Sequence, residues 1–225
     1  SLRTPELPKD RELKFKVPTG VTFGALLQKI GISPNETQAI IDSAKGKYDL
    51  AKIVSGRNLA LVSSTIGGDL TKLVYDIDTE SEFIAEEKND IWEAKVEAID
   101  YEIREKEISG VITNSLYQTI VADGNDERLA LAIAEMFAWQ VDFAADIREG
   151  DSFKVIYEER YRDGKYAMPG KILAAKFIND GAEFKGYYFA GSEKTKSGHY
   201  DGEGNSLQKV FLKAPLQYKY ISSGY

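Results

Sequence analysis

The stretch FKVIYEERYRDGKYAMPGKILAAKFINDGAEFKGYYF, residues 153–189, decides the fold of the second half of the chain. Apolar and polar residues alternate in three runs, 153–161, 172–179 and 183–189, as they do in strands with one buried face. Asp163-Gly164 and Asp180-Gly181 separate these runs, and Asp-Gly pairs favour two-residue hairpin turns. The stretch therefore predicts consecutive antiparallel strands.

The same period-two pattern extends upstream from Leu70 to Ile108, where short polar breaks separate four further predicted strands. Two segments of helical period follow, over 113–121 and 126–139. We therefore predict a β-rich antiparallel domain with a two-helix insertion over residues 66–219. Phe137, Trp139 and Phe143 are expected to close the second helix and to lie buried in one apolar layer with the strand that starts at Phe153.

The first part of the chain predicts a small βααβ unit over residues 12–65. Residues 12–17 alternate as a strand, Thr22 is a candidate N-cap for a helix to Ile30, and Ser33–Glu36 forms a capping box for a second helix to about Ala44. Leu59–Ser63 alternates as a returning strand. Residues 1–11, with two prolines, read as a flexible arm, and the fold class expected for the whole chain is α+β.

Composition excludes several function classes. The 225 residues contain no cysteine and one histidine, His199, so cysteine chemistry and a two-histidine zinc site are excluded. The formal net charge of −7 argues against a nucleic-acid partner, and no apolar run approaches the roughly 18 residues of a transmembrane segment. Residues 1–65 have a net charge of +4 and the remainder −11, which suggests two units with different surfaces that dock, or a basic unit that binds an anionic polymer. Two solvated surfaces without a partner explain the same distribution.

The residues offer no recognisable active site. The acidic loops 123–128 and 201–206 lack the glycine and glutamate positions of a calcium loop and are predicted to be turns. Asp142 and Asp146 lie four residues apart, but capping and turn hydrogen bonds explain them better than acid–base catalysis. His199 stands in a loop without a nucleophile motif beside it. We therefore predict no catalytic and no metal-binding residue in this chain.

Four runs of the second domain resemble a known family: ISGVITNSLYQTI (108–120), FAWQVDFAADIREGDSFKVIYEERY (137–161), GKILAAKFINDG (170–181) and YDGEGNSLQKVFLKAPLQYKYISSGY (200–225). They are similar to the region that precedes the catalytic domain in LytM-type, lysostaphin-like zinc endopeptidases of bacterial envelopes. GVTFGALLQKIGIS (20–33) and KYDLAKIVSGRNLAL (47–61) resemble the LysM-like first domain of the same proteins.

The resemblance implies a non-catalytic region that covers or positions a peptidase domain acting on peptidoglycan. Residues 220–225 would begin that peptidase domain, whose zinc-binding residues are absent from this chain. The expected partners are the chain's own C-terminal peptidase domain and peptidoglycan. The expected location is the cell envelope, after removal of a signal peptide or N-terminal anchor.

An alternative is a stand-alone cell-wall protein whose LysM-like domain binds glycan strands. The binding groove would then lie between the first helix and the loop before the second strand. Its predicted lining is Thr22, Phe23, Ser55, Arg57 and Asn58. The same five residues are also explained by a capped helix start and a polar turn.

Overall fold

The computed structural model describes residues 11–64 and 68–207 and contains two compact units, Ser1–Asp100 and Tyr101–Tyr225. The arm expected over residues 1–11 lies outside the described residues except for Arg11, and the peptidase start expected at 220–225 lies wholly outside them. None of the helices in the described part of the chain combines the length and the apolar character needed to span a bilayer.

The first unit is an antiparallel five-stranded sheet with two helices. Its elements, in chain order, are β1 (Arg11–Lys16), α1 (Phe23–Lys29), α2 (Pro34–Ser43), a 3₁₀ helix (Leu50–Lys52), β2 (Asn58–Ser63), β3 (Leu70–Asp76), β4 (Ser81–Lys88) and β5 (Ile91–Ala98). The strand order is β1-β2-β3-β4-β5. As predicted, Thr22 caps α1, and the Ser33 hydroxyl caps α2 by accepting a hydrogen bond from the Glu36 amide at 3.2 Å.

The division between the units follows Asp100, whereas the change of period placed it after residue 65. Strand β2 pairs with β3, with Leu59 opposite Tyr75 and Leu61 opposite Leu73. One buried core joins the helices to all of these strands, including Leu27, Ile40 and Phe83. Strands β3–β5 therefore complete the sheet of the first unit, because two strands and two short helices alone would leave one side of this core open.

The second unit is a separate five-stranded antiparallel sheet. It contains β6 (Glu102–Val111), α3 (Leu116–Ala122), α4 (Glu127–Met136), β7 (Ser152–Arg162), β8 (Lys165–Asn179), β9 (Ala182–Phe189) and β10 (Gly198–Tyr200), with strand order β10-β9-β8-β7-β6. Asp163 and Gly164, and likewise Asp180 and Gly181, have positive φ, as a type I′ turn requires. The two predicted hairpins are confirmed, since Arg162 pairs with Lys165 and Asn179 with Ala182.

The core of the second unit lies between one face of its sheet and the helices α3 and α4. Phe137, Tyr157 and Phe177 are at most 1% exposed in it, and Phe143 packs at its margin. Trp139 is 49% exposed, so the prediction that it is buried is wrong. Helix α4 ends at Met136, and the helical spacing used for that prediction does not continue to Trp139.

Both sheets are antiparallel and the helices pack on them, so the predicted α+β class is confirmed. The two-helix insertion is also present, as α3 and α4 between β6 and β7. The likeness of residues 12–65 to a LysM domain stays a prediction.

Candidate functional site

A cleft of about 760 Å³ opens in the first unit between the N-terminus of α1 and the segment that follows α2. Two short segments form its walls, and the residues that line it lie outside the strands of the sheet. The residues that line it are Thr22, Phe23, Gly24, Ile41, Ala44, Lys45, Gly46, Lys47, Tyr48, Asp49, Leu50 and Ala51.

The first wall is the start of α1. The Thr22 hydroxyl accepts a hydrogen bond from the Ala25 amide at 3.3 Å, which satisfies one of the free amides of the first turn. Phe23 is 3% exposed and anchors this turn in the core. Gly24 places no side chain in the cleft here, and a Cβ at this position would lie 3.7 Å from the methyl group of Thr37 on α2.

The second wall is the turn over residues 44–51. Gly46 has φ +73°, a conformation that favours glycine, and the Ala44 carbonyl accepts hydrogen bonds from the Lys47 and Tyr48 amides at 3.0 Å each. The Tyr48 ring lies 6.0 Å from the rings of both Tyr75 and Phe83. Tyr75 of β3 and Phe83 of β4 therefore hold the turn in place through their contacts with the Tyr48 ring.

Tyr48 remains a neutral phenol at physiological pH. Burial, and next the neighbouring Tyr75, raise the pKa of the Tyr48 hydroxyl to about 12. That hydroxyl donates to the Lys52 carbonyl at 3.3 Å, and the Tyr75 hydroxyl accepts from the Val54 amide at 2.8 Å. The two phenols thus hold the segment that leads from the cleft into β2.

The cleft offers two cations and one carboxylate. Lys45 forms an ion pair with Asp42 at 2.7 Å, and the Asp49 carboxylate caps the 3₁₀ helix by accepting from the Ala51 amide at 3.0 Å. Within residues 11–64 and 68–207 the Lys47 ammonium forms no ion pair. A lining of apolar surface, one phenol and exposed ammonium groups is suited to binding a polar, extended ligand rather than to nucleophilic chemistry.

The structure divides the five residues predicted for glycan binding. Thr22 and Phe23 line the cleft, whereas Ser55, Arg57 and Asn58 do not. The Ser55 and Thr19 hydroxyls are 3.0 Å apart, and the Asn58 amide donates to the Asp76 carboxylate at 2.7 Å. The Arg57 carbonyl accepts from the Val17 amide at 2.8 Å. A glycan-binding role for the five stays a prediction.

Sequence reasoning missed Tyr48, Lys45 and Lys47 as cleft residues. A local signal for them exists in Lys45-Gly46-Lys47-Tyr48-Asp49, where glycine follows a helix and an aromatic residue stands between charges. Their approach to Thr22 and Phe23, in contrast, depends on how α1 and α2 pack.

The other chemical candidates are structural. Asp142 accepts hydrogen bonds from the Ala144 and Ala145 amides, and Asp146 from the Asp142 amide at 3.1 Å, so the predicted turn-capping role is confirmed. A His199 ring nitrogen lies 2.8 Å from the Ile172 carbonyl oxygen. Among the described residues no three His, Asp or Glu side chains are grouped as metal ligands, so none of them is assigned to zinc.

Residues 100–225, more than half of the chain, match the family model Csd3_N2, described as the Csd3 second domain. The chain belongs to the Csd3_N2 family. The family match covers the whole second unit, which contains the four runs that resemble the region before a peptidase domain. That resemblance is confirmed by relatives and a solved structure that contain the same region.

Two curated relatives from Vibrio cholerae are peptidoglycan DD-endopeptidases. ShyC is 36% identical over 114 residues, which are 51% of this Csd3_N2 chain and 25% of ShyC. ShyB is 23% identical over 227 positions, which cover 100% of this chain and 52% of ShyB. This chain therefore spans about half or less of the length of these relatives.

The crystal structure of a zinc-containing peptidase from Vibrio cholerae has the same fold over 88% of this chain and 60% of that chain. The TM-score is 0.63 at 22% sequence identity, so the likeness concerns the fold. The matched part of such neighbours is their N-terminal portion.

Proposed function

We propose that this chain is the non-catalytic regulatory and targeting region of a cell-envelope peptidoglycan zinc endopeptidase, and that it covers or positions the peptidase domain. One observation carries the proposal: similarity to ShyB runs through the whole of this chain but includes only 52% of ShyB. The remaining part of such a protein would contain the zinc, the catalytic residues and the partner surface for this region.

The test is the activity of the full-length protein encoded by the parent gene, with and without residues 1–100. The deletion ends at Asp100 because the structure places the end of a compact unit there. Release of muropeptides from purified sacculi should rise when the unit is removed. It should rise more at low salt, since exposed charges are screened within about 10 Å at 0.1 M. Equal release by both proteins at both salt concentrations would contradict a covering role.

A second candidate function is glycan binding by the first unit, which the cleft between α1 and residues 44–51 favours. Peptidoglycan strands are polar, extended and anionic, so the exposed Lys47 ammonium would contact them. This chain should then sediment with purified sacculi, and Lys47→Glu should reduce the bound fraction several-fold.

The matched control for that experiment is Lys29→Glu, a charge reversal in the last turn of α1 that lies outside the cleft lining. Arg57→Glu tests the groove expected from the sequence. Loss of binding with Arg57→Glu but not with Lys47→Glu would place the ligand at residues 55–58 instead. Equal sedimentation of all variants would contradict a specific glycan-binding site in the first unit.

A further inference from the structure

A groove in the second unit runs along the outer face of α4 and is separate from the cleft of the first unit. It consists of two adjoining depressions of about 510 and 410 Å³ that share Ala134 and Phe143 as lining residues. The first depression lies between α3 and α4, and the second continues past the end of α4 to residues 141–144.

Two large side chains at this groove, Leu131 and Tyr117, are not buried in the core beneath it. Leu129 and Ile133 of α4 are fully buried against the sheet, whereas Leu131, between them in sequence, is 62% exposed. Tyr117 of α3 is 50% exposed on the opposite side of the same depression. Large apolar side chains that remain exposed around a concave surface are typical of binding sites for other proteins.

The floor of the groove is made of short side chains. Ala130, Ala134 and Ala138 follow each other at intervals of four residues, so they lie along one face of α4 and of the turn that follows it. Such a row leaves room for large side chains of a partner between Leu131, Tyr117 and Phe143.

The rim of the groove is acidic. Glu127 and Glu135 of α4 and Asp142 after it are lining residues. Among the described residues that line the two depressions, Arg128 is the only cation, and its guanidinium donates to the Asp126 carboxylate at 2.5 and 2.9 Å and to the Ala167 carbonyl at 3.0 Å. The Glu127 carboxylate accepts a hydrogen bond from the Tyr117 hydroxyl at 2.7 Å, and among the described lining residues no unpaired cation balances the negative charge of the rim.

We propose that this groove is a docking site for a basic amphipathic helix of another protein. Its large aliphatic side chains would occupy the space above Ala130 and Ala134, and its lysine or arginine residues would lie opposite Glu127, Glu135 and Asp142. Helices bind grooves of this kind through apolar anchors spaced by three or four residues, and complementary charge on the rim sets orientation and association rate. A second copy of this chain would bring the same acidic rim, so charge favours a different, basic partner.

The probe is a synthetic amphipathic helix of about four turns, with leucine on one face and lysine on the other. It is titrated into isotopically labelled chain while amide chemical shifts are recorded. Shifts should be confined to residues 115–117 and 127–144. A matched peptide with glutamate at every lysine position should cause none of them.

Two variants examine the apolar and the charged parts separately. Leu131→Glu should weaken binding of the lysine peptide by at least about tenfold, and Glu135→Lys by several-fold. The matched controls are Ile91→Glu, at a side chain that is 64% exposed, and Glu105→Lys, both distant in sequence from the groove. Both controls should bind like the parent, and Glu135→Lys keeps the test informative if Leu131→Glu alters the fold.

Four results would overturn the proposal. Shifts spread over acidic residues of both units would indicate general charge attraction, as would equal loss of binding in the controls. Binding of the glutamate peptide would show that the acidic rim does not select a basic partner. Concentration-dependent dimerisation of the parent that Leu131→Glu abolishes would assign the groove to a second copy of the chain.

Discussion

Replacing Phe83 by alanine tests whether β3–β5 belong to the same cooperative unit as α1 and α2. Phe83 is 0% exposed on β4, and its ring lies 6.0 Å from the ring of Tyr48. Loss of a fully buried phenylalanine side chain costs about 3–5 kcal/mol, because transfer free energy is lost and a cavity remains. That is a large fraction of the 5–15 kcal/mol by which domains are typically stable.

The assay is native-state hydrogen exchange, read separately for each helix and strand. Leu27 of α1 and Ile40 of α2 share one buried core with Phe83, so their amides should lose protection together with those of β3 and β4. Ile91→Ala is the control, since this side chain is 64% exposed on β5 and its truncation should change stability by no more than about 0.5 kcal/mol.

The opposite pattern would refute the division after Asp100. If Phe83→Ala lowered protection only in β3–β5 and left α1 and α2 unchanged, residues 12–65 would be an independent unit as the change of period predicted. A parent-like melting temperature for Phe83→Ala would contradict the buried position of the ring itself.

Two further predictions concern the second unit. Trp139→Ala should change the free energy of unfolding by less than about 1 kcal/mol, whereas Phe137→Ala, two residues earlier, should lower it by about 3–5 kcal/mol. Denaturant melts of both variants measure this difference. Equal losses of stability would contradict the exposed position of Trp139. Hydrogen bonds from Arg128 are the main cause that lowers the pKa of Asp126 to about 2. The charged Asp126 carboxylate therefore stabilises the fold above about pH 4, and this contribution is lost as pH falls from about 4 to about 2. Asp126→Asn should therefore be less stable than the parent by about 1–2 kcal/mol at pH 7 and by progressively less toward pH 2; a difference that stays constant over this range would refute the assignment.

The hairpins of the second unit could be predicted because their signals are local. An Asp-Gly pair adopts positive φ at both central positions at low cost, and the alternation on either side fixes which residues face the core. The caps of α1 and α2 were predictable for the same reason, since Thr22 and Ser33 bond to amides three residues later.

The unit boundary could not be predicted in this way. Alternation in β3 indicates which side chains face inward, but it does not indicate which strand is the neighbour in the sheet. In the structure β3 returns beside β2, and the Ser64 amide donates to the Asp69 carbonyl at 2.9 Å, a pairing that the period of the sequence does not indicate.

The candidate cleft was predictable on one side only. The start of α1 follows from its cap, but residues 44–51 reach the cleft because Tyr48 packs on Tyr75 and Phe83, which are distant in sequence. Contacts of this kind depend on the sheet order that the alternation leaves open.

The division after Asp100 also changes the net charge of each unit, and with it the attraction expected between them. Residues 1–100 contain 13 basic and 17 acidic side chains, and residues 101–225 contain 16 and 19, so the net charges of the two units are −4 and −3. Attraction between a basic and an acidic unit is therefore absent at the level of net charge. Among the described residues that line the cleft of the first unit, Lys45 is paired with Asp42, whereas the Lys47 ammonium forms no ion pair and supplies local positive charge. If salt weakens the effect of this unit on a peptidase domain, Lys47→Glu in the full-length protein should reproduce that weakening at low salt, and Lys29→Glu should not.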